Sequence, residues 1–239
     1  MQGAAWAVHL LTASGVVLAF LATAECVAAV PDPRRVFLWL ALAVAVDAVD
    51  GPLARAVDVK RRLPGVQGRT IDDIVDYLTF TFIPLLLCWR LGWVPGALWV
   101  MPALVASLLG FASTGAKQEE DGFFGGFPSY WNVFAFYAGI WAQHASPLAP
   151  GLAALLLAGL TVAPVRFLYP NLAPAPWRGP LIAGAWAWAV LLALMLRDYP
   201  ASTRGLVALS LVYPAFYVVL SVALDVRGRR RAARGLVTP

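Results

Sequence analysis

Charge is scarce in this chain. Only 13% of its 239 residues are Asp, Glu, Lys or Arg, against about a quarter in a typical soluble domain. That shortfall excludes an ordinary cytosolic enzyme and a disordered chain. Cysteine is almost absent: Cys26 and Cys88 both lie in apolar runs, so neither a disulfide scaffold nor a thiolate metal site is expected. Histidine occurs twice, and His9 and His144 sit in apolar surroundings that suit packing better than metal ligation. The first residues lack a basic stretch, so no removable signal peptide is expected.

Apolar residues fill the gap, at 61% of the chain, with ten Trp, 18 Pro and a mean hydropathy of +0.74. Eight apolar segments run over roughly 8–30, 36–57, 71–89, 95–114, 130–146, 150–168, 180–196 and 205–224. About 20 residues at ~1.5 Å each cross a ~30 Å hydrocarbon core. In lipid the backbone must satisfy itself, which favours helices throughout. The expected fold is therefore all-α, a polytopic membrane bundle of about eight helices forming one unit over 1–239. The loops have no room for a soluble domain, and no internal repeat is evident.

Basic residues orient the bundle. Lys60, Arg61, Arg62, Arg69, Lys117, Arg166, Arg178 and five tail arginines (Arg227, Arg229, Arg230, Arg231, Arg234) fall on one side, twelve in all. Arg34, Arg35, Arg90, Arg197 and Arg204 fall on the other, five in all. The positive-inside bias puts both termini and the 58–70 and 115–129 loops in the cytoplasm. The net charge is only +5, and the basic tail over 225–239 suits anionic lipid headgroups better than nucleic acid.

The acids are unevenly placed. Six of the thirteen lie between positions 47 and 76. On the second span Asp47, Asp50, Gly51, Ala54 and Arg55 share one helix face. On the third, Gly68, Asp72 and Asp76 do the same, while Asp73 points about 100° away from Asp72. Asp58 and Asp73 are read as solvated or supporting residues. Four facing carboxylates repel, and Arg55 alone cannot balance them. Divalent cations can, and an oxygen-only donor set suits Mg²⁺ or Mn²⁺. Gly51, Ala54 and Gly68 leave space beside the acids, a layout suited to phosphoryl chemistry on a pyrophosphate held by two shared ions.

The pattern Asp47-x2-Asp50-Gly51-x2-Ala54-Arg55-x12-Gly68-x3-Asp72-x3-Asp76 resembles the signature of the CDP-alcohol phosphotransferases. Most of that family carries a spacer of eight residues where this chain has twelve, Ala56 to Gln67. The longer spacer is similar to that of the phosphatidylcholine-forming bacterial branch, as is the stretch Gly126-Phe127-Pro128-Ser129-Tyr130-Trp131-Asn132. The resemblance implies a six-helix core, often a homodimer, with a site open to the cytoplasmic leaflet of the bacterial inner membrane. It implies that Asp47, Asp50, Asp72 and Asp76 hold two divalent ions, Mn²⁺ or Mg²⁺, with Asp76 as general base. It further implies that Gly51, Ala54, Arg55 and Gly68 take CDP-diacylglycerol, and that CMP is released.

The acceptor is read from the 115–132 segment. Glu119, Glu120, Asp121, Phe123, Phe124, Phe127, Tyr130 and Trp131 suit a quaternary ammonium such as choline, which has no N–H to donate and is held by aromatic faces and acids. Glu119, Asp121, Phe127, Tyr130 and Trp131 are the candidate choline contacts. Three alternatives stay open: an interfacial aromatic belt, phosphatidylserine synthesis from the same donor, and a cation-coupled transporter.

Overall fold

The computed structural model describes residues 2–113, 117–118 and 122–233. It is an all-α polytopic bundle whose helical rods follow the eight apolar segments. The first two, α1 (Gln2–Val27) and α2 (Pro33–Val57), pack along each other as a hairpin. Asp32 caps the start of α2, its side chain accepting from the Arg34 backbone N–H at 2.9 Å, and Pro33 opens the helix where no N–H is needed. The far end of α2 closes on Asp58, left-handed at φ 53°, and the short α3 (Val59–Arg62) follows. Ala5 and Val8, at the start of α1, pack against Val59 and so tie the first turns of the chain to this end of α2.

The third rod runs from Gly68 to Arg90 in three pieces: α4 (Gly68–Asp76), a π-helical turn (Tyr77–Phe82) and α5 (Ile83–Arg90). Beyond it come a 3₁₀ turn (Ala97–Trp99) with α6 (Met101–Ala112), then α7 (Trp131–Trp141), α8 (Leu148–Val162), α9 (Ala175–Leu196) and α10 (Arg204–Ala233). By length and composition α1, α2, α9 and most of α10 can each cross a membrane, with shorter apolar helices at 97–112 and in α8. Phe20, Trp186, Val212 and Val219 are exposed on the outside of the bundle, as lipid-facing side chains are. An aromatic cluster closes the end opposite the acids. Phe37, Trp93, Phe136 and Tyr199 pack with centroids 4.9–6.4 Å apart, and the Tyr199 hydroxyl donates to the Phe136 carbonyl at 3.0 Å.

One expectation is corrected. The sixth apolar segment does not stay helical to 168: Pro164 lacks the N–H a helix needs, and Ala163 before it is extended at ψ 149°. Residues 166–168 instead form β3 (Arg166–Leu168), which pairs antiparallel with β2 (Phe123–Gly125), itself paired with β1 (Lys117–Gln118). The basic tail starts as helix, since α10 continues through Ala233. Buried Asp225 accepts from Arg166 at 2.7 Å and from Arg229 at 3.0 Å, and Arg229 also reaches the Pro164 carbonyl. Arg229 therefore ties the small sheet to α10 and is committed to protein.

The stretch between β2 and α7 is pinned at both ends. Gly126 and Phe127 donate to the carbonyls of Val165 and Leu160 at 2.7 and 2.9 Å. Trp131 is fully enclosed, its indole N–H donating to Ser107 Oγ at 2.7 Å, with Ser129 Oγ 3.1 Å from the same atom. Gly126 has φ +81°, and a Cβ there would lie 2.0 Å from the Thr161 carbonyl oxygen. Backbone cannot step aside cheaply. Gly126→Ala is therefore expected to destabilise the protein by about 1–3 kcal/mol, read as a lower Tm in detergent. An unchanged Tm would remove this pin.

Candidate active site

Helical spacing alone puts Asp47 and Asp50 on one face of α2, and Asp72 and Asp76 on one face of α4. The bundle turns these faces toward each other. One carboxylate oxygen from each of Asp47, Asp50 and Asp72 lies within 4.8 Å of the other two. The trans span of an octahedral Mg²⁺ site is about 4.2 Å, so three oxygens from two helices stand near a single cation's coordination sphere. These residues can hold a metal ion, and the donor set is hard oxygen only. Asp50 is buried at 6% exposure, where a carboxylate needs a partner or a cation.

Two cavities meet at this group. The first, about 240 Å³, is bordered by Asp47, Asp72 and Asp76 on one side and by Phe80, Phe124, Tyr130, Tyr169 and Tyr217 on the other. The second, about 390 Å³, is bordered by Asp50, Gly51, Ala54, Arg55, Lys60 and Gly68. Arg69 and Asp72 line both. Asp47, Asp72 and Asp76 thus border an aromatic chamber, and Asp50 and Asp72 a small-residue, basic one, with Asp72 common to both. Asp58 also lines the second chamber, whereas Asp73 turns toward Arg69, 3.7 Å away.

Each chamber has a local cause. Pro52 removes one N–H from α2 between Asp50 and Ala54, so the Ala48 carbonyl loses its helical donor beside the acids. Gly68 opens α4, and a Cβ there would come within 2.7 Å of the His9 ring on α1. The π turn follows Asp76 directly and sets Phe80 into the aromatic chamber, a common position for such a bulge. The small sheet borders that chamber with Phe124 and Leu168, and Tyr169, just past β3, joins them. Tyr217 reaches it from α10, its hydroxyl donating to the Leu168 carbonyl at 2.9 Å.

The candidate choline contacts divide. Tyr130 borders the aromatic chamber, within electrostatic reach of both Asp47 and Asp76. Phe127 borders an adjoining, nearly all-apolar groove of about 390 Å³ with Val133, Phe134 and Trp188, which shares Tyr130 and Tyr217 with the aromatic chamber. Trp131 is core, with its N–H committed to Ser107. Glu119 and Asp121 lie outside the described residues. Sequence reasoning missed Tyr169 and Tyr217. Tyr169 stood just past a stretch taken as span to 168, although Pro164 before it was a visible breaker. Tyr217 looked like one more residue of an apolar helix.

This arrangement defines a multi-pass membrane protein with an acidic, metal-competent centre at one end of its bundle. No protein-family model matches the chain. Named relatives do. It is 37% identical over 217 residues to the phosphatidylcholine synthase of Pseudomonas aeruginosa, covering 90% of this chain and 89% of that one. It is 39% identical over 172 residues to the same-named protein of Rhizobium meliloti (70% and 68%), and 34% over 232 residues to that of Legionella pneumophila (91% and 87%). The chain belongs to the phosphatidylcholine synthase family, and is thus a phosphatidyltransferase.

Proposed function

We propose that the chain transfers the phosphatidyl group from CDP-diacylglycerol to choline and releases CMP, at the cytoplasmic face of a bacterial inner membrane. One observation carries this reading: the carboxylate group stands where a small-residue, basic chamber meets an aromatic one. The first suits a nucleotide and its pyrophosphate. The second suits a cation with no hydrogen to donate.

Gly51, Ala54 and Gly68 leave the donor's nucleotide room to approach the backbone, and Arg55 and Lys60 face its charge. Asp47, Asp50, Asp72 and Asp76 would hold two divalent ions, Mg²⁺ or Mn²⁺, which neutralise charge building on the leaving phosphate. Asp76 takes the proton from the choline hydroxyl. The freed oxygen bonds to the phosphorus bearing diacylglycerol, the bond from that phosphorus to CMP breaks, and CMP leaves with the electron pair. The even number of rods and the basic residues at the acidic end support a cytoplasmic site.

Membranes carrying the protein, given CDP-diacylglycerol and a panel of labelled alcohols, test donor and acceptor together. Choline should enter lipid only with the donor present. Label entering from serine would replace the acceptor, and choline flux without CMP would replace the enzyme with a transporter.

The aromatic chamber makes a prediction of its own. Cation–π contact contributes about 0.5–2 kcal/mol per well-placed ring. Tyr169→Leu should therefore raise the choline KM by roughly 2- to 30-fold while leaving the CDP-diacylglycerol KM unchanged, and Tyr169→Phe should keep the wild-type value. Equal losses in both variants would assign the effect to the hydroxyl instead.

A further inference from the structure

Sequence alone made His9 a packing residue. Its surroundings assign it more. His9 lies on α1, 6% exposed, and borders the same chamber as Asp50, Gly51, Ala54, Arg55 and Gly68. Its Nε2 is enclosed and has no hydrogen-bond partner among the described residues. A buried nitrogen left this way costs stability until a partner arrives. Trp6 meets the ring edge-on at 6.3 Å and supplies no acceptor. Among the described residues the group whose carboxylate oxygens lie within 4.8 Å of one another is Asp47, Asp50 and Asp72, and it does not include the imidazole.

Gly68 completes the case. A methyl group there would lie 2.7 Å from His9 Cε1 and 3.2 Å from Nδ1. The space opened by a glycine of the motif is therefore filled by the imidazole of a helix outside it. The ring becomes part of the chamber wall, with one nitrogen unspent.

We propose that His9 recognises the nucleoside portion of the liponucleotide donor, its unspent imidazole nitrogen hydrogen-bonding to the pyrimidine edge or a ribose hydroxyl. An imidazole carries a donor and an acceptor nitrogen, which matches either group. The acids and Arg55 face the charged pyrophosphate, leaving a neutral contact for the remainder. The assignment rests on the proposed function of this chamber.

The experiment uses purified full-length protein in detergent, with CMP and inorganic pyrophosphate as probes, alongside the two KM values. His9→Ala should weaken CMP binding and raise the CDP-diacylglycerol KM about tenfold, the loss of roughly one hydrogen bond. Pyrophosphate affinity and choline KM should not change. His9→Asn, which keeps a planar donor and acceptor, should recover part of the loss and serves where the alanine variant does not fold. Wild-type CMP affinity in both variants, or parallel losses for CMP, pyrophosphate and choline, would overturn the assignment. Wild-type protein that neither binds CMP nor consumes CDP-diacylglycerol would instead defeat the proposed function.

Discussion

Asp76→Asn is expected to cut CMP release by at least 10²- to 10⁴-fold, the range that a positioned proton acceptor typically contributes. The substitution is isosteric and neutral. Asp76 ends α4 at the brink of the π turn and borders the aromatic chamber with Asp47 and Asp72. An amide there keeps the shape of the wall but cannot take a proton from an acceptor hydroxyl, and it is a poor ligand for a hard cation. Membrane insertion, yield and Tm should stay near wild type, which separates lost chemistry from lost folding. The measurement is CMP formed per enzyme with saturating donor and choline. Near-normal turnover would remove Asp76 from the reaction. Asp73→Asn is the matched control: one position away, it faces Arg69 and is not among the residues bordering either chamber, and it should change the rate by less than about tenfold.

Chelation should act as strongly. EDTA is expected to abolish the reaction, and Mn²⁺ or Mg²⁺ to restore it. The structural reason is the crowding of Asp47, Asp50 and Asp72, whose oxygens approach within 4.8 Å with Asp50 buried. Carboxylates brought this close repel unless a cation sits among them. A second readout does not depend on turnover. A cation present at about 100 times its Kd stabilises the folded state by about 2.7 kcal/mol, so Mn²⁺ should raise the Tm by roughly 5–10 °C. Asp50→Asn should shrink that rise along with activity. Full activity after exhaustive chelation, or a Tm indifferent to Mn²⁺ and Mg²⁺, would show that the acids do other work.

The sequence and the structure agree where periodicity decides. Asp47 to Arg55 and Gly68 to Asp76 share faces because a helix repeats every 3.6 residues, and that holds in any packing. The choline contacts did not follow from such a rule. Phe127, Tyr130 and Trp131 are neighbours in sequence, yet Phe127 lines the apolar groove, Tyr130 stands between that groove and the acidic chamber, and Trp131 is core. Side chains in an irregular segment point where local hydrogen bonds aim the backbone, here the pins at Gly126 and Ser129. The rings around the acids come instead from positions 80, 124, 130, 169 and 217, far apart along the chain.

By itself the sequence determined that the chain lives in a membrane, that two of its helices carry paired aspartates on single faces, and which signature those faces resemble. Each follows from composition or from local helix geometry. Only the tertiary structure decided that the two acidic faces meet, that a strand after Pro164 roofs the site, and that His9 fills the space Gly68 leaves. Those are contacts between distant segments, and packing, not local spacing, selects them.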